Sequence, residues 1–201
     1  VKPKLVAKEG DVVKAGDALF VDKLHPEVKF VSPVSGKVTS VERGDRRKIL
    51  SVQVTADKQK VYADFGKKNV SSLSGEQVKV ALLEAGLFAF FLQRPYAVTA
   101  NPADTPKAIF VSTFSDMPLA ADFEVAVKGN EADFQTGVDA LAKIAKVYLG
   151  VKPSASSVLS NAKNAEVTVF EGKCPAGNVG VQINNVSPVN KGAVVRTLGA
   201  E

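Results

Sequence analysis

Two periodicities divide this chain. Up to about residue 57, apolar and polar residues alternate in short runs, as in Lys37-Val38-Thr39-Ser40-Val41 and Leu50-Ser51-Val52-Gln53-Val54. A period of two marks half-buried strands. The pattern predicts strands over 4–7, 18–22, 27–31, 36–43 and 49–55, with turns at Gly10, Gly16, Gly36 and Gly44. No helix is expected before residue 70, and residues 58–73 read as a polar connector around Tyr62 and Phe65.

Helical spacing then takes over. Ser74-Gly75-Glu76-Gln77 has the form of a capping box, and Val78, Leu82, Leu83 and Leu87 follow on one helical face, with Gly86 as terminator. Asn130 is placed to cap a helix over 131–145 that carries Phe134, Val138, Leu141 and Ile144 at core spacing. Runs at 108–113, 146–151 and 166–170 read as buried strands, a weaker helix lies at 156–162, and Ala193–Leu198 is strand-like. Strands alternating with helices predict a parallel sheet with crossover helices. The expected division is an all-β domain at 1–57, a connector at 58–73 and an α/β domain at 74–201.

Composition removes much chemistry. The 201 residues are 45% hydrophobic with a net charge of +5, enough apolar content for a core. One histidine and one cysteine leave no set of zinc ligands and no disulfide within the chain. A net positive charge suits nucleic acid or an acidic membrane surface. Here the cations are spread along the chain, and the tightest cluster, Arg43, Arg46, Arg47 and Lys48, reads as a charged hairpin turn with no aromatic residues among the cations. No nucleic-acid partner is expected. The longest apolar stretch, 78–92, is broken by Lys79, Glu84 and Gly86, so no membrane span is expected. A start at Val1 and an abrupt end read as a fragment of a longer protein.

Five features invite a functional reading. Lys23 follows Asp22 in a turn, where a covalent cofactor would need an exposed amine, but Leu24-His25-Pro26 lengthens that turn. His25 itself reads as exposed and idle. The stretch Gly172–Gly180 has glycines at phosphate-loop spacing, but Asn178-Val179 stands where such a loop needs Lys-Ser/Thr. It reads instead as a turn into a helix starting at Pro175 or Ala176. Cys174 lies near that helix start with no histidine close in sequence. The aromatic run Phe88, Phe90, Phe91 with Arg94 and Tyr96 suits core, a protein interface or a planar ring such as a flavin or quinone.

Several runs carry a family resemblance. Glu9-Gly10-Asp11-Val12-Val13-Lys14-Ala15-Gly16 with Ser32-Pro33-Val34-Ser35-Gly36 resembles the barrel-sandwich hybrid of biotinyl and lipoyl domains. The run D-K-x-x-P-x-V-K-F-x-x-P-V-S-G-K-V from Asp22, the run from Leu82 to Arg94-Pro95, and Ala108-Ile109-Phe110-Val111 add specificity, as do Asp116-Met117-Pro118-Leu119-Ala120-Ala121 and Pro175-Ala176-Gly177. Together they resemble the A-subunit family of the bacterial sodium-translocating NADH:quinone reductases.

That resemblance implies a peripheral subunit on the cytoplasmic face of the bacterial inner membrane. Its complex oxidises NADH, moves electrons through flavins and iron–sulfur centres, reduces ubiquinone and exports sodium. It also implies a Rossmann-like α/β domain similar to the flavin-binding subunit of complex I, whose glycine-rich loop lets backbone amides approach the flavin phosphate. The matching stretch here, Gly86–Arg94, holds bulky side chains instead. The expectation is therefore a subunit with no flavin, nucleotide or metal of its own, not catalytic alone. Phe88, Phe90, Phe91 and Arg94 become the candidates for quinone or partner contact. The alternatives are a biotin or lipoyl carrier modified at Lys23, or a subunit of a ferredoxin-type electron-transport complex.

Overall fold

The computed structural model describes residues 1–199; Ala200 and Glu201, the end of the expected second domain, lie outside the described residues. Two compact units form, Val1–Lys68 with Val80–Ala89, and Asn69–Lys79 with Phe90 onward.

The first unit is built from β1 (Pro3–Leu5), β2 (Val12–Val13), β3 (Ala18–Asp22), β4 (Lys29–Val31), β5 (Gly36–Arg43) and β6 (Ile49–Ala56). They make two three-stranded antiparallel sheets, ordered β1-β3-β4 and β2-β5-β6. Alternation works as expected: Ala7, Val13, Leu19 and Val38 are buried, and Phe20, Val41, Val52 and Val54 pack against them. Phe20 also stacks on Phe30, with ring centroids 4.7 Å apart.

Gly36 opens β5 opposite Ala56, and a Cβ there would run into the Thr55 carbonyl oxygen. Gly36 thus lies in a strand rather than at a turn, and the pairing there depends on glycine for lack of space. The middle of the expected connector is not loose. Val61 and Ala63 exchange backbone hydrogen bonds with Ala15 at 2.9 and 2.8 Å, and the Val61 N–H donates to Ser35 Oγ at 2.9 Å. This lone parallel bridge leaves no hydrophobic pattern to read.

Helix α1 spans Gly75–Glu84. Its capping box forms as expected: the Gln77 N–H donates to Ser74 Oγ at 3.3 Å and the Ser74 N–H to Gln77 Oε1 at 2.8 Å. Gly86, at φ +73°, ends the helical turn, and a Cβ there would strike the Val31 side chain.

The second unit continues with β7 (Leu92–Arg94), β8 (Val98–Thr99), β9 (Ala108–Ser112), α2 (Phe123–Val127), α3 (Glu131–Ile144), β10 (Lys146–Val151), α4 (Ser157–Ser160), β11 (Glu166–Val169), α5 (Val179–Val186) and β12 (Val195–Gly199). Its sheet runs β11-β10-β9-β12-β7-β8. The first four are mutually parallel, and β7 and β8 add an antiparallel edge. Taken in chain order the parallel strands lie 3-2-1-4, the order of the first half of a doubly wound sheet. All five residues of β9 are buried, as a strand covered on both faces requires. Ala108, Phe110, Ile183 and Val195 form its core with Tyr148, Val179, Val186 and Val189.

Three expectations are corrected. β11 is the edge strand, so its outer residues are exposed. Asn130 makes no side-chain cap; its amide donates to the Ala126 carbonyl at 3.4 Å, because the unforeseen α2 ends just before it. Helix α5 starts at Val179, not at Pro175 or Ala176, and Asn178 Oδ1 caps it by accepting from the Gly180 N–H at 2.8 Å.

Candidate functional site

After Gly86 the chain makes a 3-10 turn over Leu87–Phe90 and enters β7. Its aromatic run divides sharply by exposure. Phe88 and Phe91 are 0% and 2% exposed, whereas Phe90 is 68% exposed. Arg94 is half-buried, with its Nε enclosed and without a hydrogen-bond partner. Tyr96, at the turn into β8, is exposed.

Arg196, on β12 opposite Gln93, is fully buried. Its Nη2 donates to the carbonyls of Asn101 and Asp104 at 3.0 and 2.7 Å, and its guanidinium lies 5.9 Å from the Phe91 ring centre. Burial pushes the Arg196 pKa down, and the Asp104 charge opposes that shift. The Asp104 carboxylate accepts from Gln93 Nε2 at 2.6 Å and Asn101 Nδ2 at 3.0 Å. The loop after β8 is thus tied down by one buried cation and one carboxylate. Neither was singled out from sequence; a cation inside the apolar run Ala193–Leu198 was the available signal.

In open α/β sheets, ligands sit beyond the carboxyl ends of the strands where the order reverses, here between β9 and β12. On the β9 and β10 side of that edge the protein's own groups bond one another. Ser112 Oγ donates to the Phe114 carbonyl at 3.0 Å and accepts from Gln182 Nε2 at 3.1 Å. A Cβ on Gly150 would meet the Gln182 amide. The Gly177 N–H donates to Asp116 Oδ2 at 3.1 Å, which joins the motifs around Asp116 and Pro175. The space under α5, lined by Phe110, Tyr148, Thr168 and Gln182, has a volume of about 0 Å³.

A cleft of about 330 Å³ lies by Ser71, Asp139, Lys143 and Asn164. Its charges are engaged: Asp139 Oδ1 accepts from Gln135 and Asn164, and Lys143 Nζ donates to the Ser71 carbonyl.

The other sequence candidates stand apart. Lys23 is exposed just past β3, with the Asp22 carboxylate accepting from the Leu24 N–H at 3.1 Å. His25 is half-buried rather than exposed, and its carbonyl accepts from the N–H of the fully buried Val28 at 2.9 Å. Cys174 is exposed, its sulfur 4.0 Å from that of Met117. Among the described residues, no cluster of three His, Cys, Asp or Glu is placed to hold a metal, and no helix is long and apolar enough to cross a membrane.

A small β unit of two three-stranded sheets, followed in the chain by an α/β unit, defines a two-domain α+β protein built on a barrel-sandwich hybrid. The chain belongs to the NqrA family: the family's N-terminal barrel-sandwich hybrid domain matches residues 1–57, and its second alpha/beta domain matches residues 73–201. Among similar proteins, the A subunit of the Na(+)-translocating NADH-quinone reductase of Yersinia pestis is 36% identical over 99% of this chain and 45% of its own length. The corresponding protein of Serratia proteamaculans is 36% identical over 99% of this chain and 46% of its own. That of Actinobacillus pleuropneumoniae serotype 3 is 38% identical over 94% of this chain and 44% of its own. The chain thus spans about half the length of the curated relatives it matches.

Proposed function

We propose that this chain is part of a peripheral subunit of a Na(+)-translocating NADH:ubiquinone oxidoreductase, on the cytoplasmic face of a bacterial inner membrane. It supports ubiquinone reduction coupled to sodium export and works with the other subunits of the complex. Flavins, iron–sulfur centres and NADH belong to those partners, and the fragment alone is not catalytic. The names of its relatives support the assignment to such a complex. We divide the chain into domains at 1–57 and 74–201 with a connector between, following the sequence pattern.

One observation carries the cofactor-free reading: Phe88 and Phe91 are buried in the stretch where the flavin-binding subunit of complex I has glycines. A ring at such a position fills the volume a flavin phosphate needs and keeps backbone amides from reaching it. The parallel strand order, that of the first half of a doubly wound sheet, supports reading the α/β domain as a relative of that flavoprotein architecture. Contact with quinone or a partner subunit falls to Phe90 and Arg94, which reach the surface. Phe88 and Phe91 support the segment from inside.

Calorimetric titration of the full-length protein with FMN and with NADH tests the reading. No heat of binding is expected from either, and micromolar affinity for one of them overturns it. Co-purification of the full-length protein with membrane subunits is the matching test of its placement.

A further inference from the structure

The turn joining β5 and β6 holds Arg43, Arg46, Arg47 and Lys48 against one carboxylate, Asp45, all of them exposed. Among the described residues, none of the four cations forms an ion pair. The nearest other carboxylate, Glu42, accepts from Ser51 Oγ at 2.7 Å and Gln53 Nε2 at 3.1 Å, which keeps it on the strand. The turn itself is well defined. The Gly44 N–H donates to the Lys48 carbonyl at 2.8 Å, and Arg43 Nη1 to the Arg47 carbonyl at 3.2 Å.

Its backbone is costly for the residues it holds. Arg46 and Arg47 sit at φ +53° and +60°, the left-handed region. That backbone brings the side-chain Cβ too close to the following carbonyl, a strain glycine does not have. A turn selected for stability alone would carry Gly or Asn there. Two adjacent arginines in that conformation place charge where it weakens the hairpin, so the charge has another use.

Leu50, 62% exposed, sets its side chain against Gly44 of the same turn. A bilayer interface accepts both kinds of group, with cationic heads among the phosphates and an apolar side chain at the acyl boundary. A nucleic acid suits the patch less well. Its charges are confined to residues 43–48, with no aromatic among them on which a base could stack.

We propose that the β5–β6 turn, through Arg43, Arg46, Arg47 and Lys48 with Leu50 against Gly44, docks on anionic phospholipid headgroups. The inference rests on the membrane-side placement proposed above and gives it a contact point.

The test is sedimentation of the full-length protein with vesicles of phosphatidylcholine alone or mixed with phosphatidylglycerol. Binding is expected to the anionic vesicles only, and to weaken with salt. The double variant Arg46→Gly, Arg47→Gly is expected to bind those vesicles about thirty-fold more weakly, since each cation near an anionic surface contributes about fivefold. It should melt no lower than the native protein, because glycine accepts the left-handed backbone. Arg46→Lys with Arg47→Lys should keep the binding. Equal binding to neutral and anionic vesicles, or undiminished binding by the glycine variant, overturns the inference. So does a glycine variant that still binds vesicles but no longer co-purifies with membrane subunits, which would assign the patch to an acidic protein surface. Loss of vesicle binding supports it whether or not the native protein co-purifies, so the placement and the lipid contact fail separately.

Discussion

Gly36 in the β unit and Gly150 in the α/β unit each face a neighbour too close for a Cβ, but different things close them in. Gly36 meets the main-chain carbonyl of Thr55 on the paired strand, whereas Gly150 meets the side-chain amide of Gln182 on α5. The contrast is one of position, not of unit: Gly86 in the β unit meets the Val31 side chain, and Gly75 in the other meets the Lys143 carbonyl. A contact with main chain leaves no room for a Cβ, whereas one with a side chain can be relieved by moving or trimming it.

Three substitutions probe that contrast. Arg196→Ala has the largest expected effect, about 4 kcal/mol, because it leaves a cavity and strands the Asn101 and Asp104 carbonyls. Urea denaturation reads it, and a cost under about 1 kcal/mol would mean the buried cation does not hold the loop after β8. Gly36→Ala comes next at about 3 kcal/mol, since neither strand backbone can step aside. Gly150→Ala should cost only about 1.5 kcal/mol, because the Gln182 amide can swing away at the expense of its bond to Ser112. If thermal melts find the two glycine substitutions equally damaging, the distinction between backbone and side-chain closure is wrong.

That distinction also explains what could be read from sequence. Turn glycines and alternation are local, so β3 and β5 fall at the expected bounds. The capping box of α1 and the continuous burial of β9 are equally local signals. The two-residue strands β2 and β8 are too short to show a period, and α2, five residues long, has no second turn to repeat one. The hydrogen bonds beyond β9 join pairs distant in sequence, Gln182 with Ser112 and Gly177 with Asp116, that only the tertiary fold brings together. The aromatic run was legible as a group. Its split into buried Phe88 and Phe91 and exposed Phe90 was not, because a 3-10 turn replaces the helix or strand that would have fixed their faces.

The chain passes into the second unit at Asn69, returns to the first at Val80 and leaves it again at Phe90. Neither unit is therefore an uninterrupted stretch of polypeptide, and no single cut yields both intact. A gene truncated after Lys68 would encode a sandwich missing ten of its own residues, with the Val31 side chain stripped of its cover at Gly86. Dissection would have to splice Val80–Ala89 back on, or keep the polypeptide whole.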